Sequence, residues 1–257
     1  MVLVIDIGNT NIVLGGSAGE KRLLLSRLPT DPARSETEYA ALLQDLPELR
    51  EGEGVEGSIL SSVVPSLTGV FCRAAELLWG RAPLVVGPGM ETGVTVAIDD
   101  PGELGADLLA AAAAALEKYP RPQVILDLGT ATTLSVLDRD GVFRGVVICP
   151  GAKTAFNALT ARAAQLPGIP LGEPKRVIGT NSEDSLLSGV VYGHAAMLDG
   201  LIGRIEAELG ENCTVIATGG LGGRIVPHCR REILLDENLL LDGLRILYEK
   251  NRQPTEA

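Results

Sequence analysis

Two stretches of this chain put a carboxylate and a glycine where an apolar run ends. The first is Asp6-Ile7-Gly8-Asn9-Thr10-Asn11-Ile12-Val13, entered through Val2–Ile5; the second is Asp127-Leu128-Gly129-Thr130-Ala131-Thr132-Thr133, entered through Val124–Leu126. A tight turn of glycine and small polar residues can aim several backbone N–H groups at one point and so bind an anion, with Asn and Thr side chains as added donors. An aspartate beside such a turn suits a phosphate only if a cation sits between them. Mg²⁺ takes few carboxylates and keeps its waters, so Asp6 would hold it through water. Neither stretch is a Walker loop or a dinucleotide fingerprint. One such turn alone is an ordinary hairpin whose Asn and Thr satisfy the loop. Two of them, plus Gly219-Gly220 after a third apolar run, read as two phosphate loops and a floor where a flat ring can approach the backbone.

The elements around these residues alternate. Val2–Ile5 and Ile12–Leu14 read as a hairpin. Ser35 and Glu38 form a capping box that starts a helix to about Leu46. "GSILSSVVP" reads as a strand, Ser66–Trp79 as a helix and "PLVVG" as a strand. A loop through Asp99 and Asp100 feeds an alanine-rich helix ending near Pro120. The pattern then restarts: three strands from Gln123 to Cys149, a helix near Phe156–Gln165, a long helix from Ser182 to about Leu209, a strand at "TVIATGG" and a closing helix over Glu237–Lys250. The fold class is therefore α/β with a duplicated domain and a cleft between lobes, residues 1–118 and 119–257.

Composition narrows the class. The 257 residues are 46% hydrophobic and 21% charged, enough apolar content for a sizeable core. A net charge of −11 argues against nucleic acid as partner. Cys72, Cys149, Cys213 and Cys229 are scattered, and with only His194 and His228 no zinc set is visible. They read as reduced cysteines of a cytoplasmic protein. Asp6 and Asn9 interrupt the first apolar run, which excludes a signal peptide, and Leu108–Leu116 is about half a membrane span. No membrane partner is expected.

"DIGNTN", "GAD", "DLGTATT" and "VIATGG", in this order and spacing, resemble type III pantothenate kinase, of the acetate and sugar kinase, Hsp70 and actin superfamily. "PG…AL…RAAQLP" (150–167) and "IGTNSEDSLLSG" (178–189) extend the likeness over nearly the whole chain. The resemblance implies two ribonuclease H-like, actin-like lobes. It implies phosphoryl transfer from ATP to the hydroxyl of pantothenate, the first step of coenzyme A biosynthesis. Carried over residue by residue, Asp6, Ile7, Gly8, Asn9, Thr10, Asn11, Ile12 and Val13 hold the ATP phosphates and the Mg²⁺ environment, and Thr130 contacts ATP. Asp127 binds a monovalent cation, K⁺ or NH₄⁺. Gly105, Ala106, Asp107 and Leu108 line the pantothenate site, with Asp107 as the base that accepts the hydroxyl proton. Asp107 falls in or just before the first turn of the alanine-rich helix, where the dipole favours its ionised form; simple capping of that dipole is the other reading. Ser182 matches a threonine that reaches the substrate from the neighbouring subunit of a homodimer. Gly189, Gly193, Ala196, Gly200 and Gly203 form one small-residue stripe on the long helix, suited to close packing inside the chain or against a second copy.

The acceptor side departs from the family. Leu108 stands where an Arg is usual, Ile98 at a Tyr, Thr180 at a Lys, Ser182 at a Thr and Ala155 at a Ser. Each lost charge-assisted contact is worth about 1.5–3 kcal/mol. The alternatives to pantothenate kinase are a kinase for another small alcohol and a nucleotide-binding regulatory relative with little turnover.

Overall fold

The computed structural model describes residues 1–18, 21–47, 49, 54–163, 166 and 168–252. Among the described residues, eleven strands and seven α-helices divide between two compact units. Unit 1 comprises residues 1–94, 100–114 and 239–257; unit 2 comprises 95–99 and 115–238. The sequence placed one cut after Lys118. By packing the chain changes unit four times: residues 95–99 leave unit 1 and return, residues from 115 leave it again, and the closing helix comes back.

Unit 1 is built on β1 (Val2–Ile7), β2 (Asn11–Ala18), β3 (Lys21–Pro29), β4 (Gly57–Ser62) and β5 (Leu84–Val85), in the sheet order β3-β2-β1-β4-β5. β1, β2 and β3 are antiparallel neighbours, whereas β4 runs parallel to β1 and β5 parallel to β4. Alternation along β1 sends Leu3, Ile5 and Ile7 to one face and Val4 and Asp6 to the other. The first face packs against α1 (Glu36–Gln44) and α2 (Pro65–Trp79), with Tyr39, Leu43, Leu67 and Phe71 fully buried. Each such side chain contributes about 1.5–3 kcal/mol of burial. The expected capping box is present: Ser35 N–H donates to Glu38 Oε2 at 2.8 Å, and Ser35 Oγ accepts from Glu38 N–H.

The second face bears Asp6 and a cluster of its own. Val4, Ile59, Ala110, Leu244 and Leu247 form one buried cluster, with Ala106 and Leu109 against it. So α3 (Ala106–Lys118) and α7 (Leu239–Asn251) lie over the face that bears Asp6. Gly243 allows this approach, because a β-carbon there would overlap the Ala110 carbonyl.

Unit 2 repeats the plan. β7 (Gln123–Leu128), β8 (Ala131–Leu137) and β9 (Val142–Pro150) are an antiparallel meander; β10 (Thr214–Thr218) is parallel to β7, and β11 (Leu234–Leu235) to β10. The order β9-β8-β7-β10-β11 mirrors β3-β2-β1-β4-β5, with β6 (Thr95–Val96) added at the β9 edge. One face packs Val124, Leu126 and Leu128 against α5 (Ser182–Leu209), through Val191, Leu198 and Ile202. α5 is long and apolar enough to cross a membrane by length and composition, yet half of its most apolar window is buried inside this fold. α4 (Ala152–Arg162) and the short α6 (Gly222–Ile225) complete the unit. The helix expected to reach Gln165 is described to Arg162; Gln165 itself and part of "RAAQLP" lie outside the described residues.

Candidate functional site

Asp6 and Ile7 end β1, Gly8–Thr10 form the turn, and Asn11, Ile12 and Val13 open β2. Gly8 N–H donates to the Asn11 carbonyl at 3.0 Å and closes the turn. Thr30, just past β3, clamps it from outside: its Oγ1 donates to the Gly8 carbonyl at 2.6 Å and its N–H to the Thr10 carbonyl at 3.0 Å. Those bonds leave Asn9, Thr10 and Asn11 exposed while Ile12 is fully buried and Asp6 is 8% exposed. The turn is thus rigid and its polar groups face outward.

Asp6 has a neighbour that the sequence reading passed over. In the parallel β1–β4 ladder Asp6 pairs with Ser61, which puts both side chains on one face. Ser61 is fully buried, and its Oγ has no hydrogen-bond partner. Such a group costs about 1–3 kcal/mol of desolvation. The signal in the sequence was a pair of serines ending an otherwise apolar strand. A buried carboxylate beside an unclaimed hydroxyl is an all-oxygen environment, the donor chemistry that Mg²⁺ and phosphate-bound water accept. Among the described residues no group of three or more His, Cys, Asp or Glu could hold a metal. Asp6 and Ser61 would supply only part of an ion's oxygen shell.

Asp107 lies in the first turn of α3, as the sequence predicts. Leu108 N–H donates to Asp107 Oδ1 at 2.8 Å, and Gly105 gives that carboxylate room. Its protonation departs from the expectation. Burial pushes the Asp107 carboxyl above its ordinary range, and the backbone N–H groups of Leu108 and Asp107 oppose this only in part. Desolvation by burial outweighs the helix terminus here. A carboxylate with raised proton affinity is a better acceptor for a hydroxyl proton.

In unit 2, Asp127 pairs with Thr133 on β8 and Thr218 on β10. Gly219 sits against it: φ is +89°, and a β-carbon would overlap Asp127 Oδ1 and come 2.7 Å from Leu128 N. So the third glycine motif packs on the second. Its first glycine makes room for a carboxylate, where the sequence suggested room for a flat ring. The Thr130 carbonyl is held by Gly151 N–H at 3.2 Å and Thr154 Oγ1 at 2.6 Å, which fixes the second turn and leaves the Thr130 side chain exposed. This accounts for the Pro150-Gly151 motif in structural terms.

The acceptor-side residues fall in different places. Gly105, Ala106, Asp107 and Leu108 belong to unit 1. Ile98 follows β6 in unit 2. Ala155, Thr180 and Ser182 line one cavity of 760 Å³, floored by Leu186 and Val190 of α5 and bordered by His194. Asn181 caps α5, its Oδ1 accepting from Asp184 N–H at 2.8 Å, and Ser182 is the first helical residue. Where the family's Lys is missing at Thr180, Arg176 Nη2 donates to Thr180 Oγ1 at 2.8 Å. That guanidinium stands beside Thr180 from four residues upstream, a neighbour no motif signalled.

Two duplicated units with the β3-β2-β1-β4-β5 order, each with an Asp-x-Gly hairpin on its central strand, define the actin-like ATPase fold of ribonuclease H-like domains. Solved structures agree at the level of fold. An activator of 2-hydroxyisocaproyl-CoA dehydratase from Clostridium difficile, with bound ADPNP, superposes with a TM-score of 0.58 at 13% identity, over 100% of this chain and 99% of that one. The archaeal actin homologue Ta0583 gives 0.53 at 13% identity, over 97% and 99%. Within that class, a family model described as type III pantothenate kinase matches residues 2–204. The type III pantothenate kinase of Geobacter sulfurreducens is 43% identical over 256 residues, 98% of this chain and 100% of that protein. The chain belongs to the type III pantothenate kinase family.

Proposed function

We propose that this protein transfers the γ-phosphoryl group of ATP to the hydroxyl of pantothenate, giving 4′-phosphopantothenate at the start of coenzyme A synthesis. Full-length membership of the family supports the reaction. The structural observation that supports the residue roles is the shared face of the unit 1 sheet: Asp6 lies on it, and the helix that carries Asp107 in its first turn packs over it. Phosphoryl transfer of this kind has a loose transition state, so positioning and charge neutralisation do most of the work. Asp107 accepts the hydroxyl proton. The Gly8–Thr10 turn presents its backbone and side-chain donors to the phosphates. Mg²⁺, when bound with ATP, neutralises developing phosphate charge, and Asp6 orients it. Asp127, set between Thr133 and Thr218, serves a monovalent cation, K⁺ or NH₄⁺.

We also propose a cytoplasmic homodimer formed along α5. Gly189, Gly193, Ala196, Gly200 and Gly203 are exposed, and β-carbons built on the four glycines would meet nothing within 4 Å. That supports contact with a second copy over packing inside the chain. Val177 and Ile178, 66% and 79% exposed, precede the same helix. In such a dimer Ser182 would reach the partner's substrate.

A second reading, a kinase for another small alcohol, draws on Leu108 and Ile98, which make the acceptor side less cationic and more apolar than the family pattern. Detection of phosphorylated pantothenate by mass spectrometry, in a mixture of competing alcohols, tests one against the other.

A further inference from the structure

Four buried side-chain atoms among the described residues lack a hydrogen-bond partner: Ser61 Oγ, Gln123 Oε1, Thr133 Oγ1 and Arg245 Nε. Two of the four are hydroxyls paired in register with the strand-end aspartates, Ser61 with Asp6 and Thr133 with Asp127. The coincidence falls once in each duplicated unit, and on different neighbours: Ser61 is on the parallel strand β4, Thr133 on the antiparallel strand β8. Inheritance of one structural serine or threonine by duplication therefore does not account for it.

Ser61 is the stronger of the two because the whole residue has no exposed surface. Its strand neighbours show what an ordinary serine does here. Ser62 Oγ donates to the Val64 carbonyl at 3.1 Å and satisfies the chain where β4 ends. Ser61 has no such task. Its face is otherwise apolar: Val4 and Ile59 precede Asp6 and Ser61 on the same side, and the α3–α7 cluster covers them. Alanine would fit this position without leaving a polar atom unmet.

We propose that Ser61 is a positioning residue for Asp6. Its hydroxyl gains its partner when the metal–nucleotide complex binds: it donates to the Asp6 carboxylate and so fixes the orientation in which Asp6 meets the metal's water. The proposal rests on the nucleotide-site reading given above and deepens it. On this proposal the effect of Ser61 runs through Asp6 alone.

The test uses the full-length protein without pantothenate, so that binding is read apart from turnover. Calorimetric titration with ATP in Mg²⁺ and with ATP in EDTA is run on the wild type, Ser61→Ala and Ser61→Cys. Cys keeps the shape but donates poorly, and it serves if Ala does not fold. The expected result is a 3- to 10-fold loss of MgATP affinity in the variants, unchanged binding of metal-free ATP, and a melting temperature equal to or above wild type (one good hydrogen bond to a charged group corresponds to about one decade). Wild-type MgATP affinity in both variants would overturn the proposal. So would an equal loss with and without metal accompanied by a lower melting temperature, which marks a packing role. Wild-type binding indifferent to Mg²⁺ would overturn the site reading as well, which separates the two failures.

Discussion

Gly219 lies so close to Asp127 that a β-carbon at residue 219 would overlap the carboxylate oxygen Oδ1. The glycine also has a φ of +89°, a region where a β-carbon is costly. Gly219→Ala should therefore destabilise unit 2 by about 1–2 kcal/mol, read as a lower denaturant midpoint. It should also displace Asp127. With Asp127 at the monovalent cation site, the variant should need several-fold more K⁺ for half-maximal rate, while the wild type works in K⁺ or NH₄⁺ and fades in Na⁺ at matched ionic strength. Equal wild-type rates in the three chloride salts would remove Asp127 from that role.

Asp107→Asn keeps shape and removes a base. The expected loss in kcat is about 10²–10⁴-fold with ATP affinity unchanged. The pH dependence follows from burial. Because the folded-state pKa of Asp107 is raised, its contribution to stability is fully present below the ordinary aspartate range and is lost as pH rises through the folded value. So Asp107→Asn should melt higher than wild type at neutral pH, and the gap should close on acidification. The wild-type rate should fall on the acid side at a pH above the normal aspartate range. An acid limb at or below that range would show that Asp107 is not the titrating base.

On the acceptor side, Arg176 hydrogen-bonds Thr180, which stands where the family pattern has a Lys, and is the proposed substitute for that cation. Arg176→Ala should raise the KM for pantothenate up to roughly tenfold and leave the KM for ATP alone. Leu108→Arg should raise kcat/KM for pantothenate by a similar factor if the pocket still takes it. No change in either variant would point to a different alcohol as substrate.

How far the sequence carried the fold depends on what each element obeys. Hairpins led by Asp-x-Gly, the Ser35–Glu38 box and the alanine-rich helix are local, and all three stand where the pattern put them. β3 was not anticipated, since "KRLLLSRLP" shows no period of two; its place is set by pairing with β2. β6 and β11 have two residues each and exist only as edges of a larger sheet. The return of α7 to unit 1 rests on Gly243 meeting Ala110, a contact far apart in sequence. At the site, the residue types were legible and their surroundings were not. The raised proton affinity of Asp107 comes from burial, which no local pattern reveals. Ser61 beside Asp6 is a fact of strand register.

The α5 dimer predicts that Gly193→Gln leaves the fold intact, because residue 193 faces open space within one chain. Light scattering should show the wild type at twice the chain mass and the variant shifted toward monomer, with activity lost in parallel. A fully active wild-type monomer at all concentrations would contradict it.

The most direct measurement is ADP release by the purified protein in Mg²⁺ and K⁺, with and without pantothenate, beside Asp107→Asn. The account predicts ADP only when pantothenate is present, in equal amount to phosphopantothenate formed, and almost none from Asp107→Asn. ADP release that is indifferent to pantothenate, or an Asp107→Asn variant that turns over at the wild-type rate, would contradict it.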